Sequence, residues 1–332
     1  MLIKNIYKLL FVFIVVIIFP AEASYKITVH DSSKAYQGTT IFADTSSSPH
    51  KIVEVDMDGN IVWEYRVPSS LYKGKHGKRN SLNDVELLNN GNILFIIQLV
   101  GAYEINRAGE IQWQHMDNQM SHDIDRLDNG NTLYVQGWVD KGEKHVIEID
   151  SNGNEVWSWD GMEHYNKKPF SRHNFQGWIH VNAVTRMPNG NTYISLRNFN
   201  RFVKVNTEGQ VVKEKIFGGK GGALLKKKLG PHDPEVLPNG NILVPLTAVN
   251  KVIEIQSNVG KVWEYNDPIG RKPSTSIRDA NRLPNGNTLI IKYNKILEMD
   301  SDGESVWELV IPSIGRSKKN HHKYIYKAIR IQ

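Results

Sequence analysis

The 332-residue chain contains no cysteine. That absence excludes disulfide frameworks, thiol nucleophiles, CxxC redox chemistry and cysteine-ligated zinc or iron–sulfur centres together, so any chemistry rests on His, Asp, Glu, Arg, Ser or Thr. Charge of one sign is also scarce: 41 Lys and Arg face 35 Asp and Glu, for a formal +6. The short lysine clusters at Lys226–Lys228 and Lys318–Lys319 are too little for a nucleic-acid surface and accord at most with a mild preference for anionic ligands. No stretch beyond residue 23 has a helical period, and none has the composition of a linker. Hydrophobic residues nevertheless make up 40% of the chain, enough to bury a core, which excludes disorder as the overall state.

The longest apolar run, Leu9 to Phe19, is too short for the roughly 20 residues of a spanning helix. It follows Lys4 and Lys8 and precedes Pro20 and the small-residue pattern Ala21-Glu22-Ala23. Residues 1–23 therefore read as a cleaved secretory signal, which predicts a periplasmic or secreted protein with no stable membrane insertion. Residues 24–332 are expected to form one domain.

Two turn signals alternate along that domain. Asn-Gly pairs stand at Asn90-Gly91, Asn129-Gly130, Asn189-Gly190, Asn239-Gly240 and Asn285-Gly286, each between β-prone runs, and read as type I′ hairpins. Looser turns contain Gly59, Gly109, Gly153, Gly209, Gly260 and Gly303, at spacings of 43 to 56 residues. A tryptophan usually follows: Trp63, Trp113, Trp157, Trp263 and Trp307, with Val212 as the exception. A unit of four short antiparallel strands at this period is a propeller blade, and six turns of the second kind predict an all-β, six-bladed β-propeller of four-stranded antiparallel blades. The tryptophans are expected to fill the space between blades. The first blade is expected to use the runs Tyr25–His30 and Thr39–Asp44, with the β-prone C-terminal run Tyr324–Ile331 closing the ring.

Because the blades are copies, columns that differ between them are where function can reside. Seven residues before each Asn-Gly glycine stand Asp84, Asp123, Ala183, Asp233 and Asp279, which suggests a repeated hydrogen-bonding role. One residue earlier the column reads Asn83, His122, Asn182, His232 and Arg278: polar in every blade and variable in identity, as expected of a ring at one mouth of the central channel. His180 lies two residues before Asn182 and on the same strand face. A two-residue turn at Asn189-Gly190 pairs Asn182 with Arg197, His232 with Thr247, and His122 with Gly137, whose missing side chain leaves room. A slip of one residue would turn Arg197 to the other face. The connections from Trp157 to His180 and from Val212 to His232 are long. The first carries Phe170, Phe175 and Trp178, and together the two suggest walls around an anionic, aromatic ligand.

The segments Ser121-His122-Asp123, His180-Val181-Asn182 with Arg197 beyond its hairpin, and Gly230-Pro231-His232-Asp233 resemble the active-site segments of bacterial arylsulfate sulfotransferases. Members of that family are secreted six-bladed propellers that move a sulfuryl group from a phenyl sulfate to another phenol without a nucleotide sulfate donor. The resemblance implies that His232 is the nucleophile forming a sulfohistidine. His180, Asn182 and Arg197 would hold the sulfuryl oxygens, and His122 would assist proton transfer. Thr247, Arg278, Asn83, Phe175 and Trp178 are the candidate substrate-binding residues. The resemblance implies no cofactor and no metal, and partners that are a small aryl sulfate donor and a phenol acceptor. The sequence departs from better-known members in carrying no match to their N-terminal β-sandwich domain and no cysteine for their disulfide, so monomer and homo-oligomer both stay open. Two other classes fit the same residues: a metal-dependent propeller lyase or hydrolase with His122, His180 and His232 around a cation, and a non-catalytic binding scaffold.

Overall fold

The Asn-Gly turns do form hairpins, but of a different kind from the expected one. The structure is a computed structural model that describes residues 25–72, 81–170, 176–217, 229–268, 276–311 and 325–332. Positive φ falls on the glycine alone, as at Gly91 (φ 83°) and Gly190 (φ 81°). Gly91 N–H donates to the Leu88 carbonyl at 2.8 Å, and Leu88 N–H to the Asn92 carbonyl at 2.9 Å. Asn90 Oδ1 accepts the Asn92 N–H at 2.9 Å. Each loop is thus three residues long, a type I turn closed by a left-handed glycine, with the asparagine side chain rather than its backbone shaping the turn. The extra residue moves the register by one: Arg186 faces Thr192, not Tyr193.

Six antiparallel sheets result, and they are the blades of a six-bladed propeller. Blade two runs through Leu82–Leu87, Ile93–Ile97, Gly101–Ile105 and Ile111–Met116; blade three through Ile124–Arg126, Thr132–Val135, Val146–Ile149 and Glu155–Trp159. Blade four comprises Val181–Arg186, Thr192–Leu196, Arg201–Val205 and Val211–Ile216; blade five Glu235–Val236, Ile242–Leu246, Lys251–Gln256 and Gly260–Asn266. Blade six is Ile277–Arg282, Thr288–Lys292, Lys295–Met299 and Ser305–Val310, with Lys26–His30 added as a fifth, outermost strand. Blade one takes its innermost strand, Ala328–Ile331, from the end of the chain, followed by Thr39–Asp44, Lys51–Val55 and Ile61–Arg66. The C-terminal run therefore closes the ring as expected. The Lys26–His30 strand does not belong to blade one; it pairs with Ser305–Val310, so both ends of the chain lock the last blade to the first.

The repeated tryptophans sit between blades, each under an arginine that also pairs with a glutamate. The guanidinium of Arg126 lies 4.5 Å from the Trp113 ring and 3.1 Å from Glu104. Arg186 treats Trp157 and Glu148 in the same way, and Arg282 treats Trp263 and Glu254. At the closure Arg330 stacks on Trp307 at 4.4 Å and meets Glu298 at 3.1 Å, both side chains fully buried. Each clamp joins cation–π attraction to a shielded ion pair across a blade boundary. Breaking a buried pair on one side leaves an uncompensated charge, so Arg330→Met is expected to destabilise the fold by about 3 kcal/mol or more. Adding Glu298→Gln should recover part of that loss in urea unfolding, whereas an unchanged midpoint in the single variant would contradict the clamp.

Candidate active site

The polar column assembles at one end of the channel, and the closing strand completes it. Arg126, Arg186, Arg282 and Arg330 occupy equivalent inner-strand positions, and the residue four places before each is His122, Asn182, Arg278 and Tyr326. Tyr326 is thus the sixth member of the ring, and Lys327 stands in the aspartate column. Reading the sequence from Asn-Gly turns missed both, because the closing strand has no such turn; the recurring arginine is the signal that finds them.

The histidines come together. His122 and His180 have ring centroids 4.9 Å apart, His122 and Tyr326 6.0 Å, and His232 and Tyr326 5.2 Å. Tyr326 Oη lies 3.1 Å from His232 Nε2. His180 Nδ1 is 2.8 Å from the Gln176 carbonyl, which only accepts, so Nδ1 carries the proton and Nε2 offers a lone pair. His122 Nδ1 is 2.7 Å from Ser121 Oγ, which itself accepts the Gly137 N–H at 3.0 Å. Backbone strain marks the same places: His122, His180 and Asp233 have φ of 70°, 56° and 44°. Left-handed conformations in non-glycine residues cost about 1–3 kcal/mol each and persist where the surroundings impose them.

The expected pairings need correction. The one-residue shift, with a bulge between Val181 and Val184, puts Arg197 opposite His180, whose carbonyl accepts the Arg197 N–H at 3.2 Å; Asn182 is not its partner. Arg197 still reaches the site, with Nη1 donating to Gln176 Oε1 at 3.0 Å and Nε buried without a partner among the described residues. Asn182 Nδ2 donates to the Pro231 carbonyl at 3.2 Å, and its Oδ1 is likewise buried and unpartnered. Thr247 lies opposite Gly230, not His232, and donates to the Ile277 carbonyl at 3.0 Å. Asn83 supports the His122 backbone, its Oδ1 3.4 Å from the His122 N–H. The expected room at Gly137 is there: a Cβ on it would sit 2.4 Å from His122 Nδ1. Trp178, expected to contact substrate, is fully buried and donates to the Phe170 carbonyl at 2.6 Å, which makes it core. Phe170 is core as well, and Phe175 lies outside the described residues.

Burial and two guanidinium groups set the charge of the site. Desolvation, then Arg197 and Arg278, hold His122 down to about 3. His180 and His232 are pushed well below their ordinary value, by burial first and then by the Arg197 and Arg278 charges, respectively. Burial, with the Arg278 charge, lowers Arg197 to about 10. Beneath this layer Lys327 inserts among the aspartates, 3.0 Å from Asp84, 3.2 Å from Asp233 and in contact with Asp123. Burial alone would lower the lysine, but the charges of Asp123, Asp233, Asp84 and Asp279 outweigh it and raise its pKa well above normal. Asp84 and Asp123 also accept backbone N–H groups of the next blade, from Ile124 and Val184, which is the repeated hydrogen-bonding role. The result is a layer of neutral imidazoles and cationic guanidiniums above a layer of shared carboxylates. It suits an anion, and it leaves imidazole lone pairs available beside that anion. Among the described residues no group of three His, Asp or Glu is arranged to hold a metal ion. No helix among them is long and apolar enough to cross a membrane.

With this geometry in view, the comparisons supply a family and, separately, a fold. The arylsulfotransferase family model matches residues 26–228, more than half of the chain, and the protein belongs to that family. Similar solved structures include a protein of unknown function from Bacteroides caccae, 19% identical over 90% of this chain and all of that one, with a TM-score of 0.61. A streptogramin B lyase is 14% identical over 94% of this chain and 95% of its own, with a TM-score of 0.55. A catalytically inactive virginiamycin B lyase from Staphylococcus aureus with quinupristin is 16% identical over 87% and 90%, with a TM-score of 0.54. At such identities these structures share the fold alone. Among curated proteins none matches the chain.

Depressed histidine pKa values have a direct readout. The imidazole signals of His122, His180 and His232, assigned by single replacements, should show no inflection between pH 8 and pH 5; an inflection near 6.5 in any of them would contradict the electrostatics above. The sign for stability follows: below about pH 6.5 the unfolded chain takes up protons that these native imidazoles refuse, so they weaken the fold as pH falls, while the raised carboxylates Asp84 and Asp233 act in the opposite sense.

Proposed function

We propose that the protein transfers a sulfuryl group from a phenolic sulfate ester to a phenolic acceptor through a sulfohistidine on His232. The observation that carries this reading is the cluster of His122, His180 and His232 around Tyr326, with Arg197 reaching into it through Gln176. Two guanidinium groups facing the imidazoles favour an anion over a cation at this mouth. In the first half-reaction the His232 Nε2 lone pair attacks sulfur, the sulfur–aryloxide bond breaks, and the phenolate leaves as an anion. Arg197 and the Asn182 amide N–H donate to the sulfuryl oxygens, with the neutral His180 beside them, and preorganised donors of this kind stabilise the charge spread over those oxygens in the transition state. The Tyr326 hydroxyl, already at Nε2, turns to the departing oxygen.

In the second half-reaction the acceptor phenol oxygen attacks sulfur, the nitrogen–sulfur bond breaks, and the phenol proton passes to His122. Burial depresses His122 most, and the bound anion offsets the Arg197 and Arg278 part of that depression, which raises its proton affinity when it is needed. Export to the periplasm or medium belongs to the same proposal; the signal on residues 1–23 lies outside the described residues, and an exported chain beginning at Ser24 tests it.

Incubation with 4-nitrophenyl sulfate followed by peptide mapping should find a sulfuryl adduct on His232 that added phenol discharges. The His232→Ala variant should lose turnover by about a thousandfold or more. A folded His232→Ala protein that still releases nitrophenol at the wild-type rate would overturn the assignment.

A further inference from the structure

Seven of the eight tryptophans are committed to the scaffold. Trp63, Trp113, Trp157, Trp263 and Trp307 lie under arginines, Trp159 donates to the Gly209 carbonyl at 3.2 Å, and Trp178 is core. Trp138 is different. It lies between the second and third strands of blade three, and it is the one tryptophan or phenylalanine exposed among the described residues, at 37%. The other exposed large hydrophobics lie on the outermost strands, as Val62, Val156 and Val262 do, or in the turn leading into one, as Val259 does.

Trp138 instead stands against the site. Its ring meets His122 edge to face at 5.1 Å and lies 6.4 Å from His180. Trp138, His122, Tyr326 and His232 form a continuous row of rings at 5.1, 6.0 and 5.2 Å, leading from an exposed face to the nitrogen placed for transfer. Two glycines fix its backbone. A Cβ on Gly137 would strike His122 Nδ1 at 2.4 Å, and one on Gly177 would strike the Trp138 Cα at 2.8 Å. The Trp178 N–H donates to the Val139 carbonyl at 3.1 Å and ties down the following residue. The chain thus holds a large aromatic face in place beside the histidines without using it for packing.

We propose that Trp138 is the wall of the aryl subsite and sets the preference of the site for aromatic over alkyl sulfate groups. The inference rests on the transfer reading for the chemistry, but the wall itself is a binding claim. An aromatic ring carried by an anion held at Arg197 and Arg278 would lie on or edge-on to the indole, and aromatic pairs of this kind add to the benefit of burying the ring's area.

Calorimetric titration with benzenesulfonate and methanesulfonate, which carry the anion but no ester to break, separates the two claims. Wild type should bind benzenesulfonate about tenfold more tightly than methanesulfonate. Trp138→Leu should abolish that preference while leaving methanesulfonate binding within about twofold, and Trp138→Phe should restore most of it. An undiminished aryl preference in a folded Trp138→Leu protein overturns the proposal, as does a wild type that does not distinguish the two anions. If the preference depends on Trp138 but no sulfate ester turns over, the transfer reading falls and the aryl wall stands.

Discussion

The architecture depends on one largely enclosed ammonium. Lys327 is set among Asp84, Asp123 and Asp233, with Asp279 close enough to add to its field. Buried carboxylates need pairing, and Asp84, Asp123 and Asp279 also accept from backbone or side-chain neighbours that hold them in place. The ion cluster therefore fixes the register of the C-terminal strand. With Lys327 in that position, Tyr326 falls beside His232 one residue earlier, and Arg330 falls on Trp307 and Glu298 three residues later. Closing the ring and completing the site are one event. A propeller has no single core to enforce closure, only contacts between neighbouring blades, so a specific lock of this kind carries great weight.

The same stack of charges explains the character of the site. Carboxylates and the ammonium satisfy one another in the lower layer, leaving the upper layer dominated by Arg197 and Arg278. Burial first, and then these two charges, disfavour the protonated imidazoles. The pocket is thereby electrostatically incomplete without an anion, and buried donors such as Arg197 Nε point to the same need.

Repetition made the fold legible. Six glycine turns at a near-constant period defined six blades, and the polar column before the aspartates identified His122, Asn182, His232 and Arg278 as ring members. What the sequence concealed followed from geometry at single residues. Asn189-Gly190 reads equally as a two-residue or a three-residue loop, and that one residue, with a second from the bulge between Val181 and Val184, moved Arg197 from Asn182 to His180. Tyr326 and Lys327 stood outside the Asn-Gly alignment because the last strand closes the first blade and has no hairpin of its own. Trp178 and Trp138 are alike as residue types; only packing shows that the first is buried in the blade while the second faces the histidines. Lys26–His30 had the pattern of a strand but nothing to say which edge it would join.

The central claim is that the group is transferred twice, onto His232 and then off it. Each displacement at sulfur inverts its configuration, so the most direct measurement uses an aryl sulfate made chiral with oxygen isotopes and determines the configuration of the product ester. The account predicts net retention; inversion would mean one direct transfer between phenols and would contradict it.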